Sequence, residues 1–351
     1  MKLMIRAREF HCSGQGVSRR DFAMRSGMGL AGLALAHPAF GQVEARSALS
    51  LVRHSERGAA VRTAVGLLGR IDFGGRDLFI KGSYNSPDPF PATTHPDTLR
   101  AVVQLLRDSN CGKLILVERS GMGVTRDVWK QMALPDLARQ LDLTLLALED
   151  LPAGEWRKAE LPPGSGWKDG IEAPAFLDRG TFVIQICNLR THRFGGVFSA
   201  SLKNSVGLMA KHGQINPGHN YMTELHESAR QEAMIAEVNT LYAPKLIIMD
   251  ATEVFTSGGP ETGEIAAPGI VCAAADRLAM DAVGVAILRL EGSKGPISWR
   301  SVYEQGQLKR AAELKLGAFG PGAIRFLTAD ARSHMLASQI EAILELPPKE
   351  K

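Results

Sequence analysis

The chain has 351 residues, 45% of them hydrophobic and 22% charged, which is ample for one large or two modest domains and unlike a disordered polymer. Its formal net charge of +4 is an N-terminal effect, because residues 1–41 carry six Lys/Arg against two acids and the remainder holds 35 of each. A neutral body has no phosphate-seeking surface, so nucleic acid is not an expected partner.

In chain order, the first segment reads as a targeting signal. Ser18-Arg19-Arg20-Asp21-Phe22 resembles the twin-arginine export motif, and the apolar run Met28 to Ala36 is far shorter than the ~20 residues of a bilayer span. Cleavage near Ala39-Phe40-Gly41 would leave a periplasmic or otherwise extracytoplasmic protein with no stable membrane span, its export partner being the twin-arginine translocase. That route carries folded proteins, often with a cofactor in place. Residues 1–41 are thus expected to be signal, 42–54 linker, 55–345 one α/β domain and 346–351 tail.

Ser55 to Leu68 has helical apolar spacing and ends at Gly69, and Asp77 to Lys81 reads as a strand before a Pro/Ser-rich loop. Pro96 opens a helix running to Asn110, with Leu99, Val102, Val103 and Leu106 on one face. A strand at Lys113 to Val117, two short helices between Thr125 and Gln140, and a strand at Leu143 to Leu148 follow. Residues 149–174, rich in Pro, Gly and Trp, read as an irregular insertion: either a lid carrying Trp156 and Trp167 or a surface excursion on which both pack locally. Beyond a strand at Thr181 to Cys187 come a helix from Met222 to Tyr242, a strand Lys245 to Met249, a strand Gly269 to Ala273 and a helix Arg277 to Arg289. This alternation predicts an α/β fold, a mainly parallel sheet with helices on both faces, in one lobe or two.

Cysteine usage offers no C-x-x-C spacing, so no iron–sulfur cluster is expected, and Cys187 and Cys272 sit in apolar strands as small hydrophobes. The stretch from Asn188 to His219 gathers His192, Lys203, Asn204, His212 and His219 among glycines after a buried strand, the usual place for chemistry in an α/β protein. No G-x-G-x-x-G, Walker lysine loop or G-x-S-x-G elbow is present, which removes the ordinary nicotinamide, nucleoside-triphosphate and serine-hydrolase readings.

Ile80-Lys81 and its loop, Thr94-His95-Pro96, Leu189-Arg-Thr-His192, Ser201-Leu-Lys-Asn-Ser-Val-Gly207, Asp250-Ala-Thr252, Gly258-Gly259-Pro260 and Asp276 to Asp281 resemble the family called domain of unknown function 362. The likeness covers about residues 75 to 320. It departs where the family often has lysine, at Arg190, and in lacking the ferredoxin-like module of many members. A remoter similarity is to lactate racemases that carry a nickel-pincer nucleotide, in which a lysine holds the cofactor and a histidine sixteen positions later binds nickel. Lys203 and His219 have that spacing, with His192 upstream.

Residue chemistry adds to both resemblances. His192 is flanked by Arg190 and Arg193, which favour the neutral imidazole of a base or metal ligand; a loop histidine bonded to a carbonyl is the plain alternative. Lys203 among small residues suits a phosphate or carboxylate, or a Schiff base if desolvated, although a solvated lysine is the commoner fate. His219 and His192 are the metal candidates, with no H-x-x-x-H spacing to join them. Lys81, His95, Arg190, Asn204 and Asp250 are candidate binding groups around the same sheet edge, and Gly258 and Gly259 either let backbone approach a ligand or form a turn. Asp276 reads as a helix N-cap. The expectation is an exported enzyme that uses a metal ion or cofactor on a small anionic substrate through a His/Lys site; the competing class is a ligand-binding or cofactor-maturation protein.

Overall fold

The computed structural model describes residues 46–178 and 180–348. The expected export signal lies outside them. Strand β1 (Ser47–Arg53) and helix α1 (Arg57–Leu67) come first, then β2 (Leu78–Lys81), α2 (Pro96–Arg107), β3 (Leu114–Glu118), α3 (Thr125–Gln131), α4 (Leu134–Gln140) and β4 (Thr144–Ala147). The irregular segment holds β5 (Trp156–Ala159) and β6 (Ile171–Pro174). After it come β7 (Val183–His192), β8 (Val197–Ser199), α5 (Ser201–Asn204), α6 (Tyr221–Glu227), α7 (Gln231–Val238), β9 (Pro244–Gly258), β10 (Gly263–Ala266) and β11 (Ile270–Ala274). The chain closes with α8 (Arg277–Leu290), α9 (Pro296–Trp299), α10 (Gly306–Glu313), β12 (Ile324–Leu327) and α11 (Ala331–Leu344).

The main sheet has the order β12-β1-β11-β9-β7-β2-β3-β4, with β8 paired to β7 and β10 to β9. Along that path only β11 runs against the rest, because it pairs antiparallel with both β1 and β9 while the other neighbours are parallel. Side-chain alternation divides the core. Ile184, Ile186, Leu246 and Ile248 face α1 to α4, whereas Val183, Cys187, Ile247 and Met249 face α7, α8 and α11. With both faces covered, all ten residues of β7 are buried.

Local chemistry sets the helix ends. Glu56, His95 and Asp276 each accept backbone N–H bonds at the start of α1, α2 and α8, and Pro96 occupies the first turn of α2, where a missing donor costs nothing. The α/β class and the largely parallel sheet are as the sequence predicts, and the described residues form one compact unit.

Several expectations need correction. Residues 47–53 of the supposed linker are β1, hydrogen-bonded on both sides within the sheet. The helix expected over Met222 to Tyr242 is two helices, interrupted around Ser228, whose ψ of 131° is extended. The segment after Cys187 continues as strand to His192, and β9 runs nine residues past Met249. The insertion is no free lid: Trp156 and Trp167 are buried, the Trp167 indole donates to Met234 O at 3.1 Å, and Glu237 accepts from Ser165 Oγ at 2.7 Å and Gly166 N at 3.0 Å.

Candidate functional site

Strand β2 leads on to β3 on one side of itself, whereas β7 leads on to β9 on the other. The crevice beyond the carboxyl ends of β2 and β7 is therefore a topological switch point, where open α/β sheets bind ligands. A pocket of about 630 Å³ lies there. The ends of β2, β3 and β7 form its floor, and α5, Lys211 and the start of α6 form its wall.

The seven residues Ser201 to Gly207 mount one lysine over this floor. Asp281 of α8 accepts from Ser201 N at 2.7 Å and Leu202 N at 3.0 Å, fixing the start of α5. Ser201 Oγ donates to Gln185 Oε1, while Ser205 Oγ donates to Asn239 Oδ1 at 2.7 Å and receives Gln185 Nε2 at 3.0 Å. Burial pushes the Asp281 carboxyl up to about 7, against the lowering effect of those backbone donors. Gly196 lies behind the lysine stem, where a Cβ would come within 3.1 Å of Lys203 Cε. Lys203 itself projects into the pocket, and its amine has no hydrogen-bond or ion-pair partner among the described residues.

Several other expected site residues are closed rather than open. Lys81 Nζ donates to Gly82 O at 2.6 Å, Glu118 Oε2 at 2.8 Å and Asn204 Oδ1 at 3.1 Å, so its three donors are filled. Glu118 also accepts from Tyr84 N at 2.9 Å and Arg119 N at 3.0 Å. Asn204 spans β2 and β7 through the carbonyls of Lys81 and Ile186 at 3.4 and 3.3 Å. The Lys81–Glu118 pair underlies the pocket as a built-in neutral unit.

Asp250, His95, Gly258, Gly259 and His219 do not line the pocket. Asp250 is fully buried and accepts from Thr98 Oγ1 at 2.5 Å, Arg57 Nε at 3.0 Å and Thr252 Oγ1 at 2.7 Å, tying α1 and α2 to β9. His95 Nδ1 accepts from Asp97 N at 3.1 Å as the N-cap of α2. Gly258 and Gly259 have φ of 74° and 67°, and a side chain on Gly259 would collide with the Thr191 carbonyl; they form a turn that closes on β7 and leaves only Pro260 at the pocket. His219 Nε2 pairs with Glu224 Oε2 at 2.7 Å and its ring packs on Tyr221 at 4.4 Å.

The remaining pocket groups are cationic and poorly partnered. Arg190 is buried, reaches only Ser83 Oγ and Pro91 O at 3.2 to 3.4 Å, and leaves its Nε without a partner. Desolvation brings its guanidinium down to about 10. Among the described residues His192 Nδ1 has no partner either, and burial, with Lys203 and Arg190 nearby, holds its imidazole well below the usual range. Burial first, then Arg190 and Arg119, depress the Lys203 amine to about 7. Lys211, on the loop held by three backbone N–H bonds to Glu172, is shifted down as well. Among the described residues, the lining carboxylates are Glu118, already paired with Lys81, and Glu227.

Sequence reasoning missed Glu118, Arg119, Lys211, His226 and Gln231. The readable signal was Glu118-Arg119, two charges directly after a buried strand. Arg119 donates to Met209 O at 3.0 Å and Val206 O at 2.5 Å, so it also fastens the loop that follows α5. The donor set that the nickel-pincer similarity would require is not assembled here: Lys203 lines the pocket, whereas His219 is held by Glu224 outside it. Among the described residues no group of three or more His, Cys, Asp or Glu side chains is placed to hold a metal ion.

No curated protein and no solved structure matches the chain. The family model for the domain of unknown function (DUF362) matches residues 78–286, more than half of the chain and the part that carries every strand end of the pocket floor. The chain belongs to the domain of unknown function 362 family.

Proposed function

We propose that this protein is an enzyme acting on a small anionic substrate at the Lys203 pocket. The observation that carries this reading is the pairing pattern of the lining: among the described residues Arg190 Nε, His192 Nδ1 and the Lys203 amine have no protein partner, while Lys81 and Glu118 neutralise each other. A carboxylate or phosphate would complete the bonds of Arg190, and its charge would raise the Lys203 amine towards its ordinary value. Lys203, poised near neutrality, and neutral His192 would then hold and move a proton at the substrate.

The arginine pair Arg19-Arg20 and the short apolar run after it support export by the twin-arginine route, and N-terminal sequencing of protein recovered from a bacterial periplasm tests that part. For the pocket, calorimetric titration of the purified protein with phosphate, malonate and oxalate is the test. At least one dianion is expected to bind, more than about tenfold more weakly to Arg190→Met. Binding by none of the three, or equal binding to the variant, would sink the reading.

A further inference from the structure

An amine that serves only to hold an anion is best kept charged and hydrogen-bonded, as Lys81 is on the same floor. Lys203 has the opposite setting. Its stem is backed by Gly196 and Ile235, its Nζ meets no acceptor, and its neighbours Arg190 and Arg119 are cations, so the surroundings favour the neutral nucleophile. Arg190 leaves a guanidinium with only weak bonds to Ser83 and Pro91 in the same cavity. An unpartnered amine and an unsatisfied guanidinium in one pocket are complementary to a molecule that carries a carbonyl beside a carboxylate.

We propose that Lys203 captures the carbonyl carbon of a small 2-oxo acid as an imine, with the acid's carboxylate held by Arg190. This rests on the reading of the pocket as an anion site and names its substrate class. The amine lone pair forms the C–N bond while the carbonyl π pair moves to oxygen. The nitrogen gives up a proton to that oxygen, and His192, which lines the same cavity, is a base that can relay it. The carbinolamine then loses its hydroxyl with the second nitrogen proton, so that amine and carbonyl yield imine and water with no change of oxidation state. An imine so formed makes the adjacent C–H or C–C bond easier to break, because the nitrogen can accept its electron pair.

Borohydride trapping followed by peptide mass mapping tests this on the full chain, with pyruvate and 2-oxoglutarate as probes. The expected result is a stable adduct on Lys203 that adds the mass of the oxo acid less one oxygen and that malonate suppresses. With the probe well below saturation, the rate of formation should rise as pH passes through about 7, the range in which the amine of the free protein loses its proton. Lys203→Arg, checked for an unchanged melting transition, should abolish it, and Arg190→Met should slow it about tenfold or more. Adducts spread evenly over surface lysines, or none on Lys203 with either probe, overturn the proposal. If malonate still binds in that case, imine capture alone fails; if malonate does not bind either, the anion site fails with it.

Discussion

The carboxyl edge of the sheet carries two polar clusters built from similar residues and put to opposite use. Around Asp250, a buried carboxylate accepts hydrogen bonds from Arg57, Thr98 and Thr252, and its acceptor sites are occupied from within the fold. Around Lys203, the charges are nearly all positive and several polar atoms have no protein partner. Burying a polar group costs free energy unless it is bonded, so the first cluster binds helices to the sheet, whereas the second is the one we propose a ligand completes. Lys81 and Glu118 behave like the first cluster while forming the floor of the second.

The largest effect should come from breaking the closed cluster. Asp250→Ala leaves Arg57 and Thr98 without their acceptor and should lower the unfolding free energy by about 3–5 kcal/mol in a denaturant melt. Malonate affinity of the protein that remains folded should be unchanged. A loss below about 1 kcal/mol would mean that Asp250 does not anchor α1 and α2.

Arg190→Met attacks the open cluster and should show the reverse profile. Anion binding should weaken by about tenfold to a hundredfold, or about 1.4–2.8 kcal/mol, with little or no loss of fold stability. Destabilisation as great as that of Asp250→Ala would erase the distinction between the two regions.

Lys203→Met sharpens the comparison through pH. The folded amine titrates at about 7 and an unfolded lysine at about 10.4, so between these values the unfolded chain carries the extra proton and stability rises with pH. Removing the amine should therefore raise the melting temperature by about 2–4 °C per kcal/mol recovered at about pH 6, with the gain fading at about pH 10. A gain that does not change with pH would point to packing instead.

The smallest effect is expected at His219→Ala. The His219–Glu224 pair is partly exposed and lies outside the pocket, so the change should cost less than about 1 kcal/mol and leave malonate binding intact. A strong loss of binding would restore His219 to the site.

Much of this architecture is written in local patterns. The strand and helix alternation from Asp77 to Arg289 yields the sheet and its two covered faces, and the small residues of Ser201 to Gly207 mark Lys203 as a candidate. What the chain does not display is which charges cancel. Lys81 ends β2 and Asp250 lies within β9, yet their partners Glu118 and Thr98 come from other elements, so strand position alone cannot tell a closed pair from an open one. His219 shows the same limit, since sixteen residues of spacing say nothing of the Glu224 carboxylate beside it. Strands β1 and β12 escaped because each acquires its pattern only from neighbours distant in sequence.

The most direct test of an open cationic pocket is the titration of Lys203 itself, followed by NMR on protein whose lysines carry ¹³C-methyl labels. One resonance, absent from Lys203→Arg, should titrate at about 7 and move upward when malonate is added. A Lys203 resonance that titrates near the ordinary lysine value of about 10.4 and ignores malonate would contradict the account.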